Sequence, residues 1–186
     1  NARSILIAGL SGTLAGMISM CMGEYVSVST QKDSQKMALI SEKQRLQNQY
    51  QHEFDYVQKK YEAQDIDPQL AKQATKELME KDALGTAVQE RYGFNPNEFT
   101  SPYAAAIASF ISFPTGSILP MVAVTVSPAN VRILATAIAV LIALLITGYF
   151  AAVLGKSNRI KSMIRNAAAG LLTMGVTYLI GQLFAR

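Results

Sequence analysis

Four stretches of this chain carry no charged residue: 4–22 (SILIAGLSGTLAGMISMCM), 103–126 (YAAAIASFISFPTGSILPMVAVTV), 133–154 (ILATAIAVLIALLITGYFAAVL) and 166–185 (NAAAGLLTMGVTYLIGQLFA). Each is close to the roughly 20 residues an α-helix needs to cross a ~30 Å hydrocarbon core. One such run can be a buried helix of a soluble domain. Four of them in 186 residues argue against that. The third is the clearest span. The expected fold is therefore all-α: a polytopic helical membrane protein with four spans present, its first partner the lipid bilayer.

Charge is concentrated between the first and second runs. Residues 31–101 hold 12 of the 13 acids and 10 of the 17 bases. The remaining acid is Glu24, so the membrane part is otherwise acid-free. The net charge of +4 reflects loop bases and helix ends. With no basic-aromatic groove or zinc-finger spacing beside it, it does not point to nucleic acid. The single Cys21 excludes an intrachain disulfide and any multi-Cys metal knuckle. There is no nucleophile–base pair, phosphate loop or metal-hydrolase spacing, so an enzyme is not expected.

Lys and Arg mark the cytoplasmic side of short membrane loops. Residues 155–165 (GKSNRIKSMIR) have four, and 127–132 (SPANVR) have one. This places 155–165 inside and, counting back, 31–101 inside as well. The chain then divides into a span running into the cytoplasm (1–30), a cytoplasmic helical domain (31–101) and three further spans (102–186). The first span runs from outside to inside, and the economical explanation is one further upstream span, five in the full protein. No organelle-targeting pattern occurs and the loops are short, which fits a bacterial plasma membrane.

The first span is patterned. Ala8, Gly12 and Gly16 recur every four residues, a small-residue face that lets another helix approach. Thr13, Met17, Met20 and Glu24 fall on one stripe at i, i+4, i+7 and i+11. Methionines alone read as adaptable packing. An ionisable residue at membrane depth reads as a functional site by default, against the blander reading of an interfacial Glu wetted by headgroup water. Met20 and Glu24, one turn apart, could share a borderline divalent ion such as Fe²⁺. A carboxylate alone suits H⁺, Mg²⁺ or Mn²⁺ equally. In the second span Pro114 and Pro120 flank Gly116. Each proline removes a backbone donor and can kink the helix, leaving carbonyls free to line a pathway.

The polar segment reads as helices. Residues 34–63 lack Gly and Pro and could continue the first span, with Leu39, Leu46, Tyr50, Phe54, Val57 and Tyr61 as an apolar stripe. Asp67 and Pro68 read as an N-cap and N1. PQLAKQATKELMEKD is a second helix and ALGTAVQERYG a third, stopped by Gly93. The acids Glu42, Glu53, Asp55, Glu77, Glu80 and Glu90 are mixed with bases, the usual composition of a solvated face. His52 reads as a solvated surface residue.

The stretch SMCMGEYVSVSTQKD (19–33) resembles the second transmembrane helix of the vacuolar iron transporter family: Ser19-Met20, Gly23-Glu24-Tyr25, Ser27 and Gln31-x-Asp33 fit its pattern. DPQLAKQATKELMEKDAL (67–84) and RYGFNPNE (91–98) look like its cytoplasmic helical domain. SPYAAAIASFISFPTGSILP (101–120) is similar to its third span, with Pro102, Ala105, Ser109, Phe113, Gly116 and Pro120 in place. The resemblance implies five spans, a homodimer, and exchange of Fe²⁺ or Mn²⁺ against protons, moving metal out of the cytoplasm. Metal would be cargo, with no cofactor bound permanently. Met20 and Glu24, with Met17 on the same stripe, would line the path. The family's metal-loading helices carry Glu-x-x-Glu pairs. Here Glu42 and Glu53 fit first members, but their partners are Arg45 and Tyr56. Ala87, Val88 and Arg91 stand where Met, Met and Glu are expected, with Glu90 one position away. Arg45 and Arg91 oppose the charge that a multi-iron cluster needs. The domain is then expected either to keep a dimerisation or gating role or to hold a weak site at Glu42, Glu53 and Glu90. The competing function is a non-transporting membrane scaffold with a degenerate metal-binding domain.

Overall fold

The computed structural model describes residues 2–184. Five helices follow one another: α1 (Ala2–Glu62), α2 (Pro68–Tyr92), α3 (Pro102–Val126), α4 (Arg132–Leu154) and α5 (Arg159–Phe184). No strand occurs among the described residues. Ala185, the last residue of the fourth charge-free run, lies outside them. Four helices are long and apolar enough to cross a membrane: α1, α3, α4 and α5. Their large apolar side chains point outward, with Leu14 at 55%, Leu154 at 83% and Phe184 at 88% exposure. Such a surface would be an aggregation liability in water and is the natural one in lipid. The protein is an integral membrane protein.

The chain forms two compact units, Asn1–Met20 with Ser109–Arg186, and Cys21–Ala108. The first unit is packed through small residues. On α4, Gly148 lies so close to α5 that an added Cβ would meet the Met163 Cα at 2.9 Å and the Ser162 carbonyl at 3.0 Å. Ala152 on α4 and Ser162 on α5 are buried nearby, and Gly170 of α5 receives Leu144 of α4. Between α1 and α3 the contact stripe differs from the expected face. Gly16 is covered by Phe113 and Gly9 by Met121, whereas Gly12 has nothing within 4 Å and Ala8 is exposed. Gly9 and Gly16 are two turns apart. The two large α3 side chains settle over those two glycines, so the contact keeps Gly16 of the Ala8–Gly12–Gly16 line and takes Gly9 in place of Ala8 and Gly12. Both prolines stay inside α3, where the Ser117 hydroxyl donates to the Pro114 carbonyl at 2.8 Å.

The second unit is built by α1 beyond residue 20 and by α2. With no Gly or Pro between Glu24 and Asp67, α1 continues past the apolar run and departs from helical geometry only at Gln49 (φ −143°, ψ 44°). Asp67 caps α2, its carboxylate accepting from the Gln69 and Leu70 amides, with Pro68 in the first turn. Gly93 ends α2 in the left-handed region at φ 74°. The two helices expected over 68–92 meet at Asp82, where the backbone leaves helical geometry (φ −155°, ψ 86°). There the Asp82 carboxylate accepts from the Gly85 amide at 2.8 Å and caps the second half. The core of this unit is small: Val57, Ala71, Thr75, Met79, Ala87 and Val88, together with two glutamates.

Candidate functional site

Those two glutamates are Glu42 and Glu53, 0% and 1% exposed. Along α1 the residues Leu39, Glu42, Leu46, Glu53 and Val57 follow helical spacing. The acids therefore lie within the inward stripe, not on the solvated face that mixed charge suggested. Asp55, Glu77 and Glu80 do lie on that solvated face. α2 supplies the counter-charge. Arg91 reaches the Glu53 carboxylate with one terminal nitrogen, and its Nε stands 3.2 Å from Glu42. Its guanidinium lies 3.8 Å over the Tyr56 ring, a cation–π contact. Arg45, mostly exposed, is 4.0 Å from Glu42. His52, also exposed, places Nδ1 3.3 Å from Glu53.

The carboxyls divide their roles. Burial, and then the facing Glu53 carboxyl, push Glu42 above the ordinary value of 4.5. Neither Glu42 oxygen accepts a hydrogen bond from a donor among the described residues. Burial acts on Glu53 in the same direction, but the Arg91 hydrogen bond first, and then the neighbouring Glu42 carboxyl and His52, outweigh it and hold Glu53 below its ordinary value. Burial works against the Arg91 charge, but the bond to Glu53 and the field of both carboxylates raise it. The trio is a charged Glu53–Arg91 pair beside a carboxyl that burial and the facing acid make easier to protonate than an exposed glutamate.

Glu90 is held elsewhere. Lys60 pairs with it at 3.3 Å and bonds its backbone carbonyl. The Tyr61 hydroxyl donates to it at 3.0 Å, and burial followed by that carboxylate pushes the phenol up to about 12. The structure thus brings Glu42 and Glu53 together and gives Glu90 a separate set of partners. Among the described residues no group of three or more His, Cys, Asp or Glu side chains could hold a metal ion.

On the membrane stripe, α1 is helical without interruption through residues 17–24. Met17 is half-buried, and Met20 and Glu24 are exposed. The neighbouring Tyr25 packs its ring 5.3 Å from that of Tyr103 at the start of α3. Pro114 and Pro120 are half-buried and Gly116 is exposed with open space around it.

The sequence pattern of the VIT family matches residues 1–182. The chain belongs to the VIT family. It is 33% identical over 180 residues to a protein named vacuolar iron transporter from Acanthamoeba castellanii, covering 96% of this chain and 69% of that one. It is 30% identical to vacuolar iron transporter homolog 2.1 of Arabidopsis thaliana, covering 96% and 66%. It is 31% identical to vacuolar iron transporter homolog 1 of Oryza sativa subsp. japonica, covering 98% and 61%. The chain spans about two thirds of the length of these relatives. The VIT family is a family of transporters, not of enzymes.

In this VIT member Arg91 and Tyr56, which the sequence marks only as departures from a metal-ligand pattern, are built into the buried cluster, while Lys60, not singled out in the sequence, pairs with Glu90. Arg91 is 38 residues from Glu53 and 49 from Glu42. The signal that could have found the buried pair was the register of Glu42 and Glu53 with Leu39, Leu46 and Val57. Two carboxyls already spanned by a guanidinium do not fit a bound multi-iron cluster, which needs several oxygen ligands free to converge.

Proposed function

We propose that this VIT protein is a proton-coupled transporter of divalent metal, Fe²⁺ or Mn²⁺, moving it out of the cytoplasm. One observation carries the reading. Outside residues 31–101 the chain has a single acid, Glu24, and it stands one helical turn from Met20 on a helix long and apolar enough to span. A carboxylate beside a thioether matches a borderline cation. The same carboxylate can take a proton, and the two occupancies exclude one another, which is the minimum requirement for exchange. Met17 extends the stripe, and in α3 Pro114 and Pro120 leave the carbonyls of Phe110 and Gly116, four residues back, without a helical donor. Relatives named as iron transporters support metal as cargo, the positive-inside pattern supports residues 31–101 on the cytoplasmic side, and export is what the resemblance to vacuolar iron transporters implies. On this reading the protein works as a homodimer in a bacterial plasma membrane, with residues 31–101 in the cytoplasm and no permanently bound cofactor.

Proteoliposomes carrying a pH-sensitive dye inside provide the test. Fe²⁺ under reducing conditions, and separately Mn²⁺, should each shift the lumenal pH, and Glu24→Gln should remove the shift. Equal responses in Glu24→Gln and wild type would end the proposal. Silence of the folded wild type with both metals would favour a membrane scaffold instead.

A further inference from the structure

We propose that Arg91 is a built-in cation. Its guanidinium occupies the place between Glu42 and Glu53 that a divalent ion would otherwise take, so the unit Cys21–Ala108 closes without metal. The proposal concerns a different site from the transport stripe and does not rest on it.

Two carboxyls at 0% and 1% exposure cannot face each other across a dry interface without a positive partner or a proton. Arg91 provides that partner from the other helix. It contacts both acids, through separate nitrogens, and is stacked on Tyr56. The ring fixes the plane of the fork and shields one face from water. The pairing is electrostatic more than geometric: Arg91 Nε, though 3.2 Å from Glu42, lacks hydrogen-bond alignment, and both Glu42 oxygens are without a donor. A guanidinium that made an ideal bidentate pair with one acid would leave the other unserved. This one is spread across two, as a metal ion bridging two carboxylates would be. Arg91 lies in the last turn of α2 and both acids are on α1. The contact is therefore the electrostatic clasp between the two helices. Closure of that clasp is independent of metal concentration.

Hydrogen–deuterium exchange of the full chain in detergent, read on peptides covering 38–62 and 68–92, tests this with Mn²⁺ as the probe. All proteins carry Glu24→Gln so that the membrane stripe does not respond. With Arg91 intact, exchange should be the same with and without Mn²⁺. Arg91→Gln should raise exchange in both peptides by about a hundredfold, as expected when one partner leaves a buried ion pair, and Mn²⁺ should slow it again. Arg91→Glu, with three facing carboxylates, should show the larger Mn²⁺ response. Adding Glu42→Gln to Arg91→Gln should restore part of the protection without metal, and it serves where a single variant fails to fold. The proposal is overturned by Mn²⁺ slowing exchange while Arg91 is intact, by unchanged exchange in Arg91→Gln, by failure of Mn²⁺ to protect either Arg91 variant, or by a double variant no better protected than the single.

Discussion

The two units of this protein solve opposite packing problems with opposite residues. The unit of Asn1–Met20 and Ser109–Arg186 uses absence of side chain: Gly148 against the α5 backbone, Gly9 and Gly16 under Met121 and Phe113. In lipid, apolar side chains gain little by leaving their surroundings, so close backbone approach and dispersion contacts do the holding. The unit Cys21–Ala108 lies in polar sequence and has few large apolar residues to bury. It uses charge, a Glu–Glu–Arg cluster, in a core whose other buried residues include Val57, Val88 and Met79. A buried ion cluster is a weak source of net stability compared with an apolar core of equal volume, yet it is very sensitive to loss of one member. One unit should therefore fail by overfilling and the other by unbalancing.

The largest effect is expected from unbalancing. Arg91→Met removes the cation that spans both buried acids, leaving only exposed Arg45 at 4.0 Å from Glu42, and should cost the second unit about 3–5 kcal/mol, measured as local opening by hydrogen exchange across 68–92. A loss under ~1 kcal/mol, the range of an exposed pair, would remove the contrast. Overfilling comes next. In Gly148→Val the new side chain meets the Met163 Cα and Ser162 carbonyl, backbone that cannot yield cheaply, and about 1–3 kcal/mol of destabilisation is expected. Gly175→Ala, at a glycine with nothing within 4 Å, is the matched control and should be neutral or slightly stabilising. Thermal unfolding of both variants in detergent checks the pair.

The smallest effect sharpens the charge side. The Glu42 carboxyl is raised above 4.5, so its contribution is complete below that pH and is lost as pH rises through the folded value. Glu42→Gln keeps the shape and cannot ionise, so its stability should lack that decline. Glu53 is lowered, and its contribution is present above 4.5 and lost on acidification. Stability–pH curves of wild type, Glu42→Gln and Glu53→Gln should therefore differ on opposite sides of 4.5.

Much of this architecture is readable in the sequence because it is local. Four charge-free runs state the spans, Asp67-Pro68 starts α2 and Gly93 ends it. What the sequence hides is tertiary. The burial of Glu42 and Glu53 depends on α2 covering that face of α1, and mixed acids and bases around them imitate a solvated surface. Arg91, read as a charge opposed to metal, is also the reason the acids can be buried at all. Asp82 reads as the boundary of two helices, and the structure breaks the helix there, with the Asp82 carboxylate capping the second half. The stripe of small residues on α1 was legible as a contact face, but its azimuth was set by where Phe113 and Met121 project from α3.

The run of α1 before its break at Gln49 carries one more consequence. Glu24 and Glu42 are 18 residues apart with no departure from helical geometry between them. At about 3.6 residues per turn that is five turns, and at about 1.5 Å per residue it is roughly 27 Å of rise. The two carboxylates thus stand at the same clock position on one shaft. A roll of that shaft that gave Glu24 a new neighbour would swing Glu42 through the same angle, away from Arg91. Holding Glu42 on Arg91 therefore also fixes the direction that Glu24 presents five turns away.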